Sequence, residues 1–406
     1  MKLRIGVIYG GESVEHEVSI ITAVQAMEFM DDEKYEIIPI YIDKNRNWYT
    51  GSALFEMDTY RNLDALKNQC TRVTLVRKND DVLLVRAEGF LQKVISIIDV
   101  AFPIVHGKGV EDGSLAGYLE TLNLPIVGSK TLGASLGQDK VVLKQILASA
   151  NISIPKYTWF YDADYENDSK KIITDIEKLG YPVIVKPAKL GSSIGISFAK
   201  NKRELEDAIE EAINYDDKII VEEVINNLLE VDCAVVGNYQ KQETSLIGEM
   251  ITDNDFLTFE DKYIGDGNSK GGKKSSAKSG SKSNNGQIST SGFKIPAVLD
   301  KKIEQEIYDL SIKSFKALNL SGITRFDFLI DKKTSKVYVN EPNTIPGCLA
   351  FFFFTPKGKT YPTLLDEMIA IAIDEYKKAN KKVSSFESNV LSTYDSSKGS
   401  KSKMAK

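Results

Sequence analysis

"RFDFLIDKKTSKVYVNEPNTIPG", Arg325 to Gly347, decides how the C-terminal part of this chain is read. It reads as two strands joined by a polar turn. Strand side chains alternate with period two. Arg325 and Asp327 therefore share one face, and Phe326 and Phe328 take the other. On the return strand Glu341 and Asn343 share a face. A turn centred on Thr334 sets Asp327 opposite Glu341 and Arg325 opposite Asn343, and that register gathers the aromatic residues on the opposite face. Two carboxylates, an amide oxygen and a guanidinium then crowd one patch of sheet. Like charges that close are unfavourable unless a cation lies between them. Hard oxygen donors of this kind suit Mg2+ shared with substrate phosphates. A magnesium–nucleotide site is one reading, an exposed sheet face with ordinary salt bridges is the other, and the hairpin alone leaves both open.

The chain has 406 residues, enough for two or three domains with substantial cores. Its 42% hydrophobic and 27% charged content is that of a soluble globular protein. A net charge of −5 gives no reason to expect nucleic-acid or anionic-membrane binding. The most apolar run, "VISIIDVAFPIV", is short and broken by Asp99, so no membrane span is expected. The N-terminus opens directly on the strand-like "KLRIGVIYGG", so no signal peptide is expected. Cys70, Cys233 and Cys348 are odd in number and far apart, which fits a reduced cytosol and gives no metal-ligand spacing. Two histidines exclude a histidine-rich metal centre.

Working back to the N-terminus, residues 3–9 read as a buried strand, followed by a helix from about Val14 to Met30 with Ser13 as its cap. "YEIIPIYID", "IDVAFPIVHG" and "PIVGS" read as further strands, with "EDGSLAGYLETLN" a helix between the last two. This alternation argues a parallel α/β layer with a boundary near 128–129. "TLGASLGQDKVVLKQILASA" is mostly helical, and "YPVIVKPAKLGSSIGISFA" reads strand, glycine–serine loop, strand. Helix 202–214 and the strand "KIIVEEVI" follow. After that the strands "LEVDCAVVG" and "SLIGEMI" and the opening hairpin look antiparallel, with helix 299–318 before the hairpin and "YPTLLDEMIAIAIDEYKKAN" closing the fold. Residues 264–292 and 384–406 are Gly, Ser and Lys with almost nothing to bury, and are expected to be disordered or flexible.

Five motifs carry candidate chemistry, each with a plainer explanation beside it. In "VKPAKLGSSIG" a glycine-rich loop offers backbone N–H groups to phosphates and Lys186 a charge, but the standard GxxxxGK[ST] form is absent and a flexible hairpin loop is the alternative. "GGESVEHEVS" places a tight turn before a helix N-terminus, where Glu15 could hold an ammonium group; capping alone also explains it. His106 ends a strand at the edge where α/β folds bind ligands, though a lone histidine is more often structural. "VEEVINNLLEVD" offers a strand edge for an adenine and Glu230 for a ribose, or is an ordinary amphipathic strand. In "LTFEDKYIG", Lys262 and Tyr263 form a candidate lid, or a loop anchored by one aromatic residue.

Taken in order, "GGESVEHEVS", "HGKGVEDGSLAGYLE", "DKVVLK", "YPVIVKPAKLGSSIG", "EDKY", "RFDF" and "NEPNTIPG" resemble the D-alanine–D-alanine ligase family of the ATP-grasp superfamily, over about residues 10 to 347. The resemblance implies an N-terminal parallel α/β (pre-ATP-grasp) domain, residues 1–128, followed by a two-part α+β ATP-grasp module. Its central part would cover 129–222 and its C-terminal part 223–380, with the flexible insert 264–292 and the tail beyond. Motif by motif it implies ATP contacts from Lys140, Lys186, Glu222, Glu223, Ile225, Glu230 and Lys262. It implies two Mg2+ ions, replaceable by Mn2+, on Asp327, Glu341 and Asn343. Glu15 would bind the amino group of the first D-alanine and form a triad with Ser192 and Tyr263, with His106 close by. Arg325 and the Gly347 N–H would hold the developing oxyanion. The implied activity is ATP-dependent joining of two D-alanines through an acyl phosphate, for peptidoglycan precursors, in a cytoplasmic homodimer paired through its N-terminal domain. Phe352 departs from the pattern: the commoner form has a serine there that binds the second substrate's carboxylate. A D-serine or D-lactate acceptor is the alternative this opens, and Tyr263 favours an amino acid. Ala116 also stands where the family often has glutamine, and "INNLLE" is one residue longer than usual before Glu230.

Overall fold

Three sheets organise the chain. The computed structural model describes residues 2–89, 93–107, 109, 111–191, 193–251, 292–385 and 388. The first sheet is built from β1 (Leu3–Gly10), β2 (Tyr35–Ile42), β3 (Trp48–Thr50), β4 (Thr71–Lys78), β5 (Asp81–Arg86), β6 (Val94–Ile98) and β7 (Val100–Ile104). Its order is β6-β5-β4-β3-β2-β1-β7. The expected parallel layer is its β2-β1-β7 part, and four antiparallel strands extend it. The β4–β5 hairpin turns at Asn79, which takes a left-handed φ of 56°, a turn signal that the strand–helix alternation did not use. "PIVGS" contributes only a bridge from Ile126 to Ala101.

Helices α1 (His16–Phe29), α2 (Leu63–Asn68) and α3 (Ser114–Thr121) accompany this sheet. Ser13 does not cap α1: its Oγ accepts from the Glu15 N–H at 3.0 Å and shapes the turn before the helix, which starts at His16. Gly10 makes that turn possible, because at its φ of +93° a Cβ would lie 2.2 Å from the Ile42 carbonyl oxygen.

Helices α4 (Thr131–Gln138) and α5 (Lys140–Ser149) lead into the second sheet. Asp139 starts α5 by accepting from the N–H groups of Val141 and Val142. The second sheet has β8 (Tyr157–Tyr161), β9 (Val183–Pro187), β10 (Ser197–Ala199) and β11 (Lys218–Glu223), with α6 (Asp162–Glu177) and α7 (Lys202–Ile213). Its order is β10-β9-β11-β8, all antiparallel. Leu205, Ala208, Ile209 and Ala212 form the buried stripe that α7 packs against it.

The third sheet contains β12 (Leu228–Gly237), β13 (Gln242–Met250), β14 (Phe293–Lys294), β15 (Gly322–Asp331) and β16 (Lys336–Asn343) in the order β14-β13-β12-β15-β16. Helix α8 (Lys301–Ala317) covers one face of it, and α9 (Tyr361–Ala379) packs with β1, α1 and Ile323 into a core shared with the first sheet. Among the described residues no helix is long and apolar enough to cross a membrane. The expected flexible segments at 264–292 and 384–406 lie outside the described residues, apart from 292, 384, 385 and 388.

Candidate active site

The hairpin that opened the reading pairs as expected: Asp327 faces Glu341 and Arg325 faces Asn343. Phe326 and Phe328 are wholly buried on the other face. The register then slips by one residue between Asp327 and Phe328, so that Phe328 faces Val339 and Asn340 is the extra residue of a bulge. The bulge turns Asn340 toward a cavity of about 270 Å³ between the second and third sheets. Lys186, Glu222, Glu223 and Ile225 line one side of that cavity, and Glu230, Asp232, Asp327 and Glu341 the other.

Lys186 and Glu222 sit on adjacent antiparallel strands, where alternation brings them to the same face. Their side chains meet at 3.1 Å, and Lys144 approaches the second Glu222 oxygen at 3.3 Å. Burial works against all three charges. Lys144 and Lys186 nevertheless hold the Glu222 carboxyl below its usual range. Glu222 and Glu341 raise Lys186 above its usual value. Lys144, the most deeply buried of the three, is lowered by its desolvation. Lys140 donates to the Leu190 carbonyl at 2.6 Å and stands 3.3 Å from Glu341, so it ties the glycine-rich loop to the hairpin.

Arg325 is held on two sides. Its Nε and Nη2 donate to the two Asp327 oxygens at 2.8 and 3.0 Å, and Nε lies 3.1 Å from Asp232. His106 lies two residues past the end of β7, and is buried. Burial, and behind it the Arg325 charge, lower its imidazole to about 4. Glu15 is buried at the start of α1, where a Cβ on Gly191 would come within 3.2 Å of its Oε2. The glycine-rich loop of the second sheet therefore comes down onto Glu15 of the first. Nearby, burial and then the Glu15 charge push the Glu111 carboxyl up to about 7.

Gly347 begins a short helical turn in which Cys348, Leu349 and Ala350 all take left-handed φ near 50°. Three such residues in succession cost about 1–2 kcal/mol each. The turn is tied to α1 by the Cys348 N–H, which donates to Thr22 Oγ1 at 3.3 Å, and by Cys348 Sγ, 3.1 Å from Gln25 Oε1. Phe352 packs among Phe293, Phe351 and Phe353, with centroids 5.7, 6.0 and 4.6 Å away. Ser192, Lys262 and Tyr263 lie outside the described residues.

Sequence reasoning passed over Lys144, Asp232, Asn340 and Glu111. Lys144 had a signal, since it follows Lys140 by one helical turn on α5 and shares its face. Asp232 had one in its period-two relation to Glu230 on β12. Asn340 had none, because only the bulge brings it inward.

Two family models match the chain: one described as D-ala D-ala ligase N-terminus over residues 4–129, the other as D-ala D-ala ligase C-terminus over 146–370. A D-alanine–D-alanine ligase of Thermosipho melanesiensis is 36% identical over 391 residues, covering 96% of this chain and 98% of the relative. The D-alanine–D-alanine ligase of Coxiella burnetii superimposes with a TM-score of 0.74 at 27% identity, covering 94% of this chain and 96% of that one. The VanG D-Ala:D-Ser ligase of Enterococcus faecalis does so with a TM-score of 0.73 at 28% identity, covering 92% and 100%.

Proposed function

The chain belongs to the D-alanine–D-alanine ligase family, and from that premise we propose how its cleft performs the reaction. The reaction is ATP-dependent joining of two D-alanines into D-alanyl-D-alanine through an acyl phosphate, for peptidoglycan precursor synthesis. The observation that supports this cleft as its seat is the buried Lys186–Glu222 pair, backed by Lys144, facing Asp327 and Glu341 across one cavity. The Lys186 ammonium on one wall and the Asp327 and Glu341 carboxylates on the other suit a nucleotide whose phosphates meet the lysine directly and the carboxylates through a cation.

ATP lies between the second and third sheets. The backbone of Glu223 and Ile225 faces the adenine, Glu230 the ribose, and Lys140 and Lys186 the phosphates, with Glu222 holding Lys186 in place. The donor set of Asp327, Glu341 and Asn343, two carboxylates and an amide oxygen, fits Mg2+ or Mn2+. Two such ions, when bound there, neutralise phosphate charge. Glu15 takes the ammonium of the first D-alanine, with His106 neutral beside Arg325. The carboxylate of that D-alanine attacks the γ-phosphorus, an O–P bond forms and ADP leaves. The second D-alanine gives up its ammonium proton to solvent, its amine attacks the acyl carbon, the C–N bond forms, the acyl C–O bond breaks, and phosphate departs while the nitrogen's second proton is lost. Arg325 and the Gly347 N–H stabilise the oxyanion that develops between these events. By the resemblance, Lys262 would add to the nucleotide contacts, and Ser192 and Tyr263 would form a triad with Glu15; these three lie outside the described residues. We read residues 1–128, 129–222 and 223–380 as three units of a cytoplasmic homodimer, with exposed Val14 and Ile21 offering apolar surface for pairing at the N-terminal unit.

The test is phosphate release by the purified protein with ATP, Mg2+ and D-alanine, with the product identified by mass. Release with D-alanyl-D-alanine is expected. Phe352 in its aromatic cluster, where the family commonly has serine, favours one second reading, a D-serine or D-lactate acceptor. Product appearing only when one of those is added would establish it. ATP binding without release under any of these conditions would overturn both.

A further inference from the structure

The Glu111 carboxylate faces two distant parts of the chain at once. Its Oε2 accepts from the Gly107 N–H at 3.0 Å, next to His106. Its Oε1 accepts from Thr344 Oγ1 at 3.0 Å and from the Ile345 N–H at 3.2 Å. Gly107 itself is fixed, because at its φ of +93° a Cβ would lie 2.1 Å from Ser13 Oγ and 3.1 Å from Glu15 Oε2. Gly107 is thus wedged between Glu15 and Glu111. The cavity bordered by Glu111, Ala116, Thr344 and Ile345 is about 20 Å³, room for about one water. No substrate group fits there, so on this side the contacts of Glu111 are with the chain itself.

We infer that Glu111 is a positioning residue for the ligation: it seats the Asn343–Gly347 segment against the Glu15 end of the first amino-acid site. The inference rests on the roles assigned above to Glu15, Asn343 and Gly347. Three donors converge on this one side chain, and only a carboxylate accepts from both directions. The segment it holds carries one oxygen donor for the metal and the oxyanion N–H, separated by three residues that include both of its partners. A small displacement of reacting groups costs catalysis far more than it costs folding.

Glu111→Gln keeps the shape but turns a donor toward a donor on one side. In the full-length protein it is expected to lower kcat by roughly tenfold to a hundredfold, while the Kd for a non-hydrolysable ATP analogue stays at its wild-type value and the melting temperature falls by only about 2–5 °C. Thr344→Val should lower kcat by about threefold, and Thr344→Ser should restore it. The double variant Glu111→Gln with Thr344→Val should stay within about twofold of Glu111→Gln alone, as expected of residues acting through one contact. If Glu111→Gln does not fold, the Thr344 pair carries the test. A kcat for Glu111→Gln within twofold of wild type, additive losses in the double variant, or parallel losses in kcat, nucleotide affinity and melting temperature would each overturn the inference. Glu341→Ala serves as control: if it too turned over normally, the site assignment itself would have failed, not the bridge alone.

Discussion

Lys186 and Glu222 form a 3.1 Å ion pair closed to solvent, and the second Glu222 oxygen is 3.3 Å from the equally buried Lys144. Two ammonium groups therefore depend on one carboxylate. Paired charges in such a place contribute little net stability, but removing the shared partner leaves both lysines with the weaker influence of Glu341. Glu222→Gln is expected to lower the unfolding free energy by about 3 kcal/mol, measured by urea titration at pH 7. The loss has a definite pH dependence. Without Glu222 the folded lysines ionise less readily than the unfolded ones, so the unfolded state binds more protons and stability rises with pH. The gap between variant and wild type should narrow from pH 7 to 10. A gap constant over that range would mean that the lysines have another counter-charge.

Glu341 is partly exposed and stands 3.3 Å from Lys140 at the cavity. Glu341→Ala should leave melting within about 2 °C of wild type, as for a surface change, while turnover falls by roughly a thousandfold. Chelation of divalent ions should silence the wild-type enzyme in the same way. Normal turnover in the variant would remove Glu341 from the metal set.

How far these sites could be read in advance depended on whether they lay within one local pattern. The Asp327–Glu341 and Arg325–Asn343 pairs were legible because strand alternation and a polar turn fix a register without knowledge of anything distant. The β15–β16 bulge was not, since it arises from strand twist and neighbour packing, and it alone brings Asn340 to the cavity. Glu111 could be recognised as part of a motif but not as a bridge, because its partners Thr344 and Ile345 come from the distant segment after β16. The parallel β2-β1-β7 core followed from the alternation of strand and helix patterns along the chain. The antiparallel extension did not, because its strands mix polar and apolar residues at a half-covered edge.

Phe352 occupies a position of special interest because its ring belongs to a packed cluster with Phe293 and Phe353. Phe352→Ala should cost about 2–3 kcal/mol of stability through the cavity it opens. If that cluster walls the acceptor site, the variant raises KM for the acceptor by roughly tenfold and leaves KM for ATP unchanged. Steady-state kinetics over both substrates reads this directly. Equal changes in both constants would place Phe352 outside the acceptor pocket and leave it a packing residue.

His106, in the loop after β7, feels the charge of Arg325 on the third sheet, and its titration gives a test by stability alone. It is 3% exposed, and burial, with the Arg325 charge behind it, lowers its imidazole from 6.5 to about 4. The folded state therefore keeps His106 neutral between those values while the unfolded chain takes up a proton. More protons bound in the unfolded state means that stability rises with pH. The contribution is present above pH 6.5 and is lost as pH falls toward 4. From pH 7.5 to 4.5 the loss attributable to this group is about 2–3 kcal/mol. Other groups titrate over the same range, so the quantity to follow is the difference between wild type and His106→Gln, which has no imidazole to protonate. That difference, from urea titrations at each pH, should shift by about 2–3 kcal/mol in favour of the variant as the solution is acidified. Parallel curves for the two proteins would mean that His106 is as readily protonated in the fold as in the open chain, and that burial and the Arg325 charge together do not hold it neutral.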